Sequence, residues 1–366
     1  MADMDRKIPA KAPGESRHPI IFSIAVTLVF FLSMNIASLV IAYAIPQIAI
    51  KWSAWQFQAI CETVSLIAGL IILLALRQLS LFKEKREGLL KGAVASGYFI
   101  VLYLFSLVTE IMLLLDPGAG AVKIAPAGDI AWFVLAIILI GFTEEIFFRG
   151  IISNVFWKKW AKNPAGVWAS VVCTGMIFGL MHLFNIVSGY DPAAGWQLGY
   201  VVGPMIQAVA ACFMGMTITA IYYRTRNLWV VILLHIFINL CASLSSGIIE
   251  GGTLSESIAS YTPFQLIPAV VPNLITVLVL LRPSKMAGIV AYRMKCELGV
   301  SKDEEPLRED IIGIMTSQPE YSMLSTPLGR KRLIAAATVL GVLSAVITTV
   351  SFVWYISQFA GGGVGV

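Results

Sequence analysis

Nine long apolar runs constrain this chain more than any other feature of its sequence. Each run is close to or above the roughly 20 residues that an α-helix needs to cross about 30 Å of hydrocarbon. In hydrocarbon the backbone N–H and C=O groups must be paired within the protein, which leaves helices and closed barrels as spanning structures. The sequence therefore predicts an all-α, polytopic transmembrane bundle. Its predicted spans are residues 20–45, 55–76, 93–115, 130–157, 165–187, 199–222, 228–249, 264–281 and 333–357.

The composition agrees with a membrane protein and excludes two other classes. Hydrophobic residues make up 58% of the chain and charged residues only 13%, whereas a soluble domain carries about 25% charged residues. The net charge of +5 does not indicate nucleic acid as a partner, because membrane proteins collect basic residues in cytoplasmic loops. The five cysteines show no CxxC spacing, so neither a disulfide framework nor a zinc cluster is predicted.

The basic residues predict the orientation of the bundle. Alternate loops carry 23 of the 26 lysines and arginines, and the loops between them carry two, Lys51 and Lys123. Because basic residues mark the cytoplasmic side, we expect a multi-pass protein of the cell membrane with its N-terminus inside and its C-terminus outside. The run 20–45 is too long for a signal-peptide core, so we expect it to be retained as a span.

The chain divides into three predicted segments. Residues 1–129 form an N-terminal tail and three spans, and residues 130–249 form a core with polar clusters. Residues 250–366 add two further spans and a basic cytoplasmic segment, 283–332, in which 286–298 has the pattern of an amphipathic helix.

The polar clusters of the core are the candidate functional residues. Glu144, Glu145 and Arg149 close an apolar run, although such charges cost roughly 2.5–3.5 kcal/mol each on insertion scales. Residues four apart share a helix face, so Arg149 can neutralise Glu145, while Glu144 points elsewhere.

Two later apolar runs carry the other polar residues of the core. His182 follows Phe178 by four positions, and Asn239 follows His235 by four. Three helices can therefore direct Glu144, His182 and the His235/Asn239 pair towards one cavity. A carboxylate and a histidine can activate a water molecule, and a second histidine with an amide can stabilise an oxyanion.

These residues carry a resemblance to a known family. Glu-Glu-x-x-x-Arg, Phe-x-x-x-His and His-x-x-x-Asn, in this order on successive hydrophobic segments, resemble the CAAX protease and bacteriocin-processing (CPBP, Abi) family of intramembrane endopeptidases, which includes the type II CAAX prenyl endopeptidase. The resemblance covers roughly residues 130–245. It implies hydrolysis of peptide bonds in membrane-associated peptides or proteins, with the bilayer and such a substrate as partners.

The resemblance also implies roles for single residues. Glu144 and His182 would activate the water, and His235 and Asn239 would form the oxyanion site. Glu145 and Arg149 would support the site, and Phe178 is expected to pack rather than to react. We expect the core to open towards the cytoplasmic side.

The family is often described as metalloprotease-like, which leaves the cofactor open. The sequence has no H-E-x-x-H motif, and one glutamate with two histidines is the minimum for a catalytic zinc site. We favour a glutamate-activated water without a cofactor. Zinc is the alternative, with Glu144, His182 and His235 as its ligands.

Two other functions compete with the protease. A proton-coupled transporter also uses glutamate and histidine inside the membrane, and it would show inverted repeats, of which the sequence shows none. A non-catalytic immunity or scaffold protein would tolerate the change Glu144→Gln. Glu62 and Glu110 lie near predicted outer ends of spans, where we expect water to reach them.

Overall fold

The computed structural model describes residues 18–115, 122–188, 195, 197–298 and separate positions between 326 and 346. In this part of the chain the secondary structure is helical, apart from one antiparallel bridge between Ile124 and Ile249. The predicted all-α fold class is therefore confirmed.

The α-helices are numbered in chain order. They are α1 (Pro19–Ala44), α2 (Pro46–Ala49), α3 (Ala54–Ala75), α4 (Leu89–Ala95), α5 (Gly97–Leu114), α6 (Ala127–Glu145), α7 (Ser153–Trp160), α8 (Pro164–Met181), α9 (Asn185–Ser188), α10 (Gly199–Thr225), α11 (Leu228–Ile248), α12 (Leu254–Ala259), α13 (Leu266–Leu280) and α14 (Pro283–Leu298). A π-helix covers Ile146–Ile152, and short 3-10 turns cover Leu79–Phe82, His182–Phe184 and Pro263–Gln265.

The helix starts follow local sequence signals. Asn163 precedes α8, and its side-chain oxygen accepts a hydrogen bond from the backbone N–H of Gly166. Pro164 then takes the first helical position, where its missing N–H costs nothing. Asn227 caps α11 in the same way by accepting from the N–H of Trp229. These caps fix where the helices that carry the histidines begin.

The described residues contain six helices long and apolar enough to cross a membrane, or up to eight if each of two bent helix pairs is one span. The bent pairs, at residues 89–112 and 266–294, cover the predicted third and eighth spans. The predicted ninth span, 333–357, lies almost wholly outside the described residues. The predicted amphipathic helix is present as α14, which begins three residues earlier at Pro283 and forms one of the bent pairs with α13. The number of spans, their orientation and the division into three segments stay predictions.

Helix α6 lies at the centre of the bundle. It packs against α3 on one side and α11 on the other, while α8 packs along α10. Gly175 and Gly179 lie on the α8 surface that meets the α10 backbone, and a side chain at either position would collide with Cys212 of α10. Small residues of this kind let transmembrane helices approach closely. The close approach brings the C-terminal end of α8, and with it His182, to the centre of the molecule.

Candidate functional site

Four of the predicted site residues surround one cavity. The cavity has a volume of about 920 Å³, and its lining includes Glu144 of α6, His182 after α8, and His235 and Asn239 of α11. The predicted supporting residues Glu145, Arg149 and Phe178 lie behind this lining and are completely buried. Residues far apart in the sequence thus meet at one place.

The helix type changes directly after the two adjacent glutamates. The α-helix α6 ends at Glu145, and the chain continues as a π-helix that carries Arg149. Such π-helical turns occur frequently at functional sites. Glu145 and Arg149 face each other across this turn, with Arg149 Nη1 2.6 Å from Glu145 Oε1 and both side chains 0% exposed. The structure thus forms the ion pair that the spacing predicts.

Arg149 also fixes the groups around it. Its Nη2 donates a hydrogen bond to the backbone carbonyl of Gly215 at 3.1 Å. Its guanidinium lies 4.7 Å from the centre of the Phe178 ring, which is within the range of a cation–π contact. Arg149 therefore links α6 to α8 and α10 and neutralises Glu145 where no water reaches either group.

His235 lies between the two glutamates. Its Nδ1 is 2.7 Å from Glu145 Oε1, and its Nε2 is 3.5 Å from Glu144 Oε2. Helix α11 can come this close to α6 because Gly141 leaves room for Ile236. Glu145 therefore sets the orientation of the His235 ring. This contact is the physical basis of the supporting role predicted for Glu145.

His182 has one ring nitrogen engaged and one available. Its Nδ1 is 2.9 Å from the backbone carbonyl of Phe178. A carbonyl oxygen only accepts, so Nδ1 carries the proton and the Nε2 of the neutral ring is an acceptor. The ring is half-buried at the cavity and meets the Phe178 ring edge-on. This arrangement suits a histidine that accepts a hydrogen bond from a water molecule.

Asn239 presents an unengaged amide to the cavity. It lies one helical turn after His235, and only its backbone carbonyl is bonded, by the Ser243 hydroxyl at 2.6 Å. Among the described residues none forms a hydrogen bond with the Asn239 side chain. The amide is thus available as a donor to a group inside the cavity.

A third carboxylate, Glu62 of α3, lies at the cavity although it is not among the predicted site residues. Its side chain lines the same cavity and is only 2% exposed. Gln58 donates a hydrogen bond to Oε1 at 3.0 Å, while Oε2 is enclosed and has no hydrogen-bond partner. The prediction that water access explains Glu62 is wrong. The signal was present in the sequence, since an acidic residue inside an apolar run is a functional candidate by default.

Glu110 is partly buried and forms hydrogen bonds within the bundle, and water access to it stays a prediction. Its Oε2 accepts hydrogen bonds from the backbone N–H and the hydroxyl of Ser245, so it joins α5 to α11. Nearby, Tyr261 lines the cavity from a loop, and burial together with the charge of Glu110 raises the pKa of its hydroxyl to about 12. Tyr261 is therefore a stable hydrogen-bond donor at neutral pH.

The cavity extends towards the loops that hold few basic residues. Its lining includes residues from the loops near 52–53, 185 and 253–261, and within the described lining there is no lysine or arginine. These loops are on the side that the charge distribution assigns to the outside. The predicted cytoplasmic opening and the predicted orientation are therefore incompatible.

A metal centre was the alternative in the sequence analysis. In the described part of the chain no three histidine, cysteine, aspartate or glutamate side chains are grouped as metal ligands. Glu144, His182 and His235 line the cavity without forming such a group. The use of a metal stays an untested prediction.

Comparison with known proteins identifies the central segment. Residues 126–241 match the family described as "Type II CAAX prenyl endopeptidase Rce1-like". No curated protein and no solved structure matches the chain. The match covers about a third of the chain and contains the four cavity residues and their three supporting residues. The family is one of membrane proteases.

Proposed function

We propose that this chain, which belongs to the CAAX protease family through residues 126–241, is an intramembrane endopeptidase of the cell membrane that uses Glu144 and His182 to activate water. Its substrates would be membrane-associated peptides or proteins. The observation that carries the proposal is the cavity shared by Glu144, His182, His235 and Asn239.

The first step of the proposed reaction is the attack of water on the peptide carbonyl. Glu144 takes a proton from the water, and the Nε2 of His182 accepts a hydrogen bond from the same molecule. The geometry supports this division of work because Nδ1 of His182 is already committed to the carbonyl of Phe178. A positioned general base of this kind contributes about 10²- to 10⁴-fold in rate.

The second requirement is stabilisation of the oxyanion that forms on the substrate carbonyl. The Asn239 amide is free to donate. His235 can donate from Nε2 in the form of its ring that carries protons on both nitrogens, because Nδ1 is already engaged with Glu145. Buried donors aimed at a developing charge are effective because they need no reorganisation during the reaction.

The reaction ends when the C–N bond breaks. The proton held by Glu144 passes to the departing amine, and the carbonyl carbon keeps the oxygen from water as a new carboxylate. Glu145 and Arg149 remain an ion pair throughout and hold His235 in place. Their role is to position His235.

The test is a comparison of membrane peptides from cells that hold the wild type, Glu144→Gln or His182→Ala. Small membrane peptides are followed by mass spectrometry, with equal amounts of folded protein verified in each membrane. We expect the same peptides to accumulate uncut in both variants. If neither variant changes the peptide profile, the proposed catalysis is refuted.

A second arm of the experiment addresses the metal. Wild-type membranes are treated with a chelator and then supplied with zinc. Cleavage that is insensitive to the chelator supports water activated by Glu144 and His182 alone. Cleavage that is lost with the chelator and restored by zinc contradicts this mechanism while keeping the endopeptidase activity.

A further inference from the structure

The end of the bundle opposite the cavity contains two kinds of arginine. Arg226 is bound by a carboxylate and lies over two aromatic rings, with its Nη1 left without a hydrogen-bond partner, and Arg293 donates to backbone carbonyls. Three others, which we call the arginine cluster, come from three separate segments of the chain: Arg86 before α4, Arg224 at the end of α10, and Arg282 between α13 and α14. The two kinds differ in their partners, because the arginine cluster lacks a carboxylate within ion-pair distance among the described residues.

Arg226 shows how this fold holds a structural arginine. It forms a two-point ion pair with Glu84, with Nε to Oε1 at 3.0 Å and Nη2 to Oε2 at 2.9 Å. Its guanidinium also lies over the rings of Trp157 and Tyr222. These contacts hold its backbone in the left-handed region at φ 45°. Arg293 is similarly engaged, since it donates to two backbone carbonyls.

The arginine cluster has no comparable carboxylate partner. Arg86 donates to the backbone carbonyl of Arg224 at 3.5 Å and lies 5.6 Å from the centre of the Tyr292 ring, and Arg282 donates to the backbone carbonyl of Val279 at 2.7 Å. Among the described residues no carboxylate lies within ion-pair distance of the three guanidinium groups. The charge of Glu87 acts on Arg86 and Arg224, but its carboxylate is bound to Lys91 at 3.3 Å.

Arg224 lies close enough to Arg86 and Arg282 to be repelled by the positive charges of both, and the negative charge of Glu87 opposes this repulsion. Arg86 Nη1 lies 3.5 Å from the backbone carbonyl oxygen of Arg224. All three are half-buried, which weakens the screening by water. Like charges that the fold gathers in this way favour the binding of an anion.

A helix terminus adds to the positive potential at this place. The chain bends by 64° between α13 and α14, directly at Arg282, so the N-terminus of α14 lies beside the cluster. Helix α14 has 16 residues and no acidic residue in its first turn. Arg86 also lies against Gly288 of this helix. The N-terminus of a helix favours anions through its unpaired N–H groups and its dipole.

We propose that Arg86, Arg224 and Arg282 form a binding site for a phosphate-bearing anion at the end of the bundle opposite the cavity. Arginine suits this chemistry because its planar group donates two parallel hydrogen bonds to a phosphate. The phosphate belongs either to a lipid headgroup or to a soluble compound, and the experiment separates these sources. The site does not depend on the proposed protease activity.

The test is ligand-induced stabilisation of the full chain in a neutral detergent. The unfolding temperature is measured against the concentration of short-chain phosphatidylglycerol, of phosphatidylcholine with the same chains, and of inorganic phosphate. We expect phosphatidylglycerol or inorganic phosphate to raise the temperature at concentrations where phosphatidylcholine does not. A response to phosphatidylglycerol alone assigns the site to a lipid, and a response to inorganic phosphate assigns it to a soluble compound.

Two double variants that remove the same charge distinguish binding at the arginine cluster from nonspecific attraction of the anion to positive charge. Arg224→Gln with Arg282→Gln should weaken the apparent affinity by about tenfold or more, because hydrogen bonds to charged groups are lost. Lys83→Gln with Lys85→Gln removes the same charge from exposed positions in the same region and should leave the affinity within about twofold.

The proposal also has a variant that guards against misfolding. Arg224→Lys with Arg282→Lys keeps the charge but removes the planar group, and it should lose affinity to an intermediate extent. The proposal is overturned if phosphatidylcholine stabilises as well as phosphatidylglycerol. It is equally overturned if Arg224→Gln with Arg282→Gln loses no more affinity than Lys83→Gln with Lys85→Gln.

Discussion

Glu144 and Glu145 are neighbours in the sequence, yet they belong to two different regions of the molecule. Glu145 lies in a closed unit with Arg149 and His235, where it is 0% exposed, its Oε1 contacts both partners and its buried Oε2 has no hydrogen-bond partner. Glu144 lies at the edge of the cavity, 8% exposed, with the Nε2 of His235 at 3.5 Å and the cavity in front of it.

The difference shows how one helix can give two carboxylates separate roles. A buried ion pair adds little net stability, but the loss of one partner leaves an uncompensated charge. We therefore expect Glu145 and Arg149 to matter for folding and for the position of His235. Glu144 makes fewer contacts with the protein, so its replacement should affect the reaction far more than the fold.

The largest expected effect is that of Glu144→Gln on catalysis. Because the amide cannot accept the proton from water, the rate of peptide cleavage should fall by about 10²- to 10⁴-fold. The unfolding temperature should change little, since the side chains have nearly the same shape. The rate is measured with a purified protein and a peptide identified in membranes. An unchanged rate contradicts the assignment of Glu144 as the base.

Substitutions in the closed unit of Glu145, Arg149 and His235 should lower the stability of the fold, whereas Glu144→Gln should lower the rate. Arg149→Leu leaves Glu145 buried without its cation, which should cost about 3–5 kcal/mol of unfolding free energy. Replacing both residues, as Glu145→Leu with Arg149→Leu, should recover much of this loss because no unpaired charge remains. Denaturant titration of the three proteins in detergent measures the effect. A double variant that is no more stable than Arg149→Leu would contradict the assignment of Glu145 and Arg149 as a structural ion pair.

Glu62 sharpens the comparison because it is a buried carboxylate beside the cavity without a cation. Glu62→Gln keeps the oxygen that accepts from Gln58, so its cleavage rate should stay within about threefold of the wild type. Glu62→Ala leaves Gln58 without its partner and enlarges the cavity, so its rate should fall about tenfold. Equal rates for the two variants would show that Glu62 takes no part in the site.

A further expected effect concerns the packing that carries His182. Gly179→Ala places a methyl group against Cys212 and the α10 backbone, which should cost about 1–3 kcal/mol through overpacking. Gly128→Ala serves as the control, because nothing lies within 4 Å of that position in α6, and it should be neutral or slightly stabilising. Thermal unfolding of both variants decides whether close approach of α8 and α10 is required.

The fold class and part of the site could be predicted from local patterns. Apolar runs of membrane-spanning length predicted six helical segments to within a few residues. Four of them are α1, α3, α10 and α11, the run 130–157 corresponds to α6, the π-helix and α7 together, and the run 165–187 corresponds to α8, a 3-10 turn and α9. The spacing of four residues gave the ion pair of Glu145 and Arg149. Both predictions depend only on helix geometry, which acts between neighbours in the chain.

The remaining features depend on contacts between distant segments. The burial of Glu62 follows from the packing of α3 against α6, and the contact of His235 with both glutamates follows from the close approach of α11 at Gly141. The π-helix after Glu145 has no single-residue signal in the sequence. The side on which the cavity opens is likewise a property of the assembled bundle.

The most direct test of the account follows the oxygen of water through a single turnover. Wild-type protein in excess cleaves an identified peptide in water enriched in oxygen-18, and mass spectrometry examines the product and the protein segment that contains Glu144. If Glu144 activates water, the new carboxylate of the product carries one labelled oxygen and Glu144 carries none. A product without label, together with a labelled Glu144, would show that Glu144 attacks the peptide itself and would contradict the proposed mechanism.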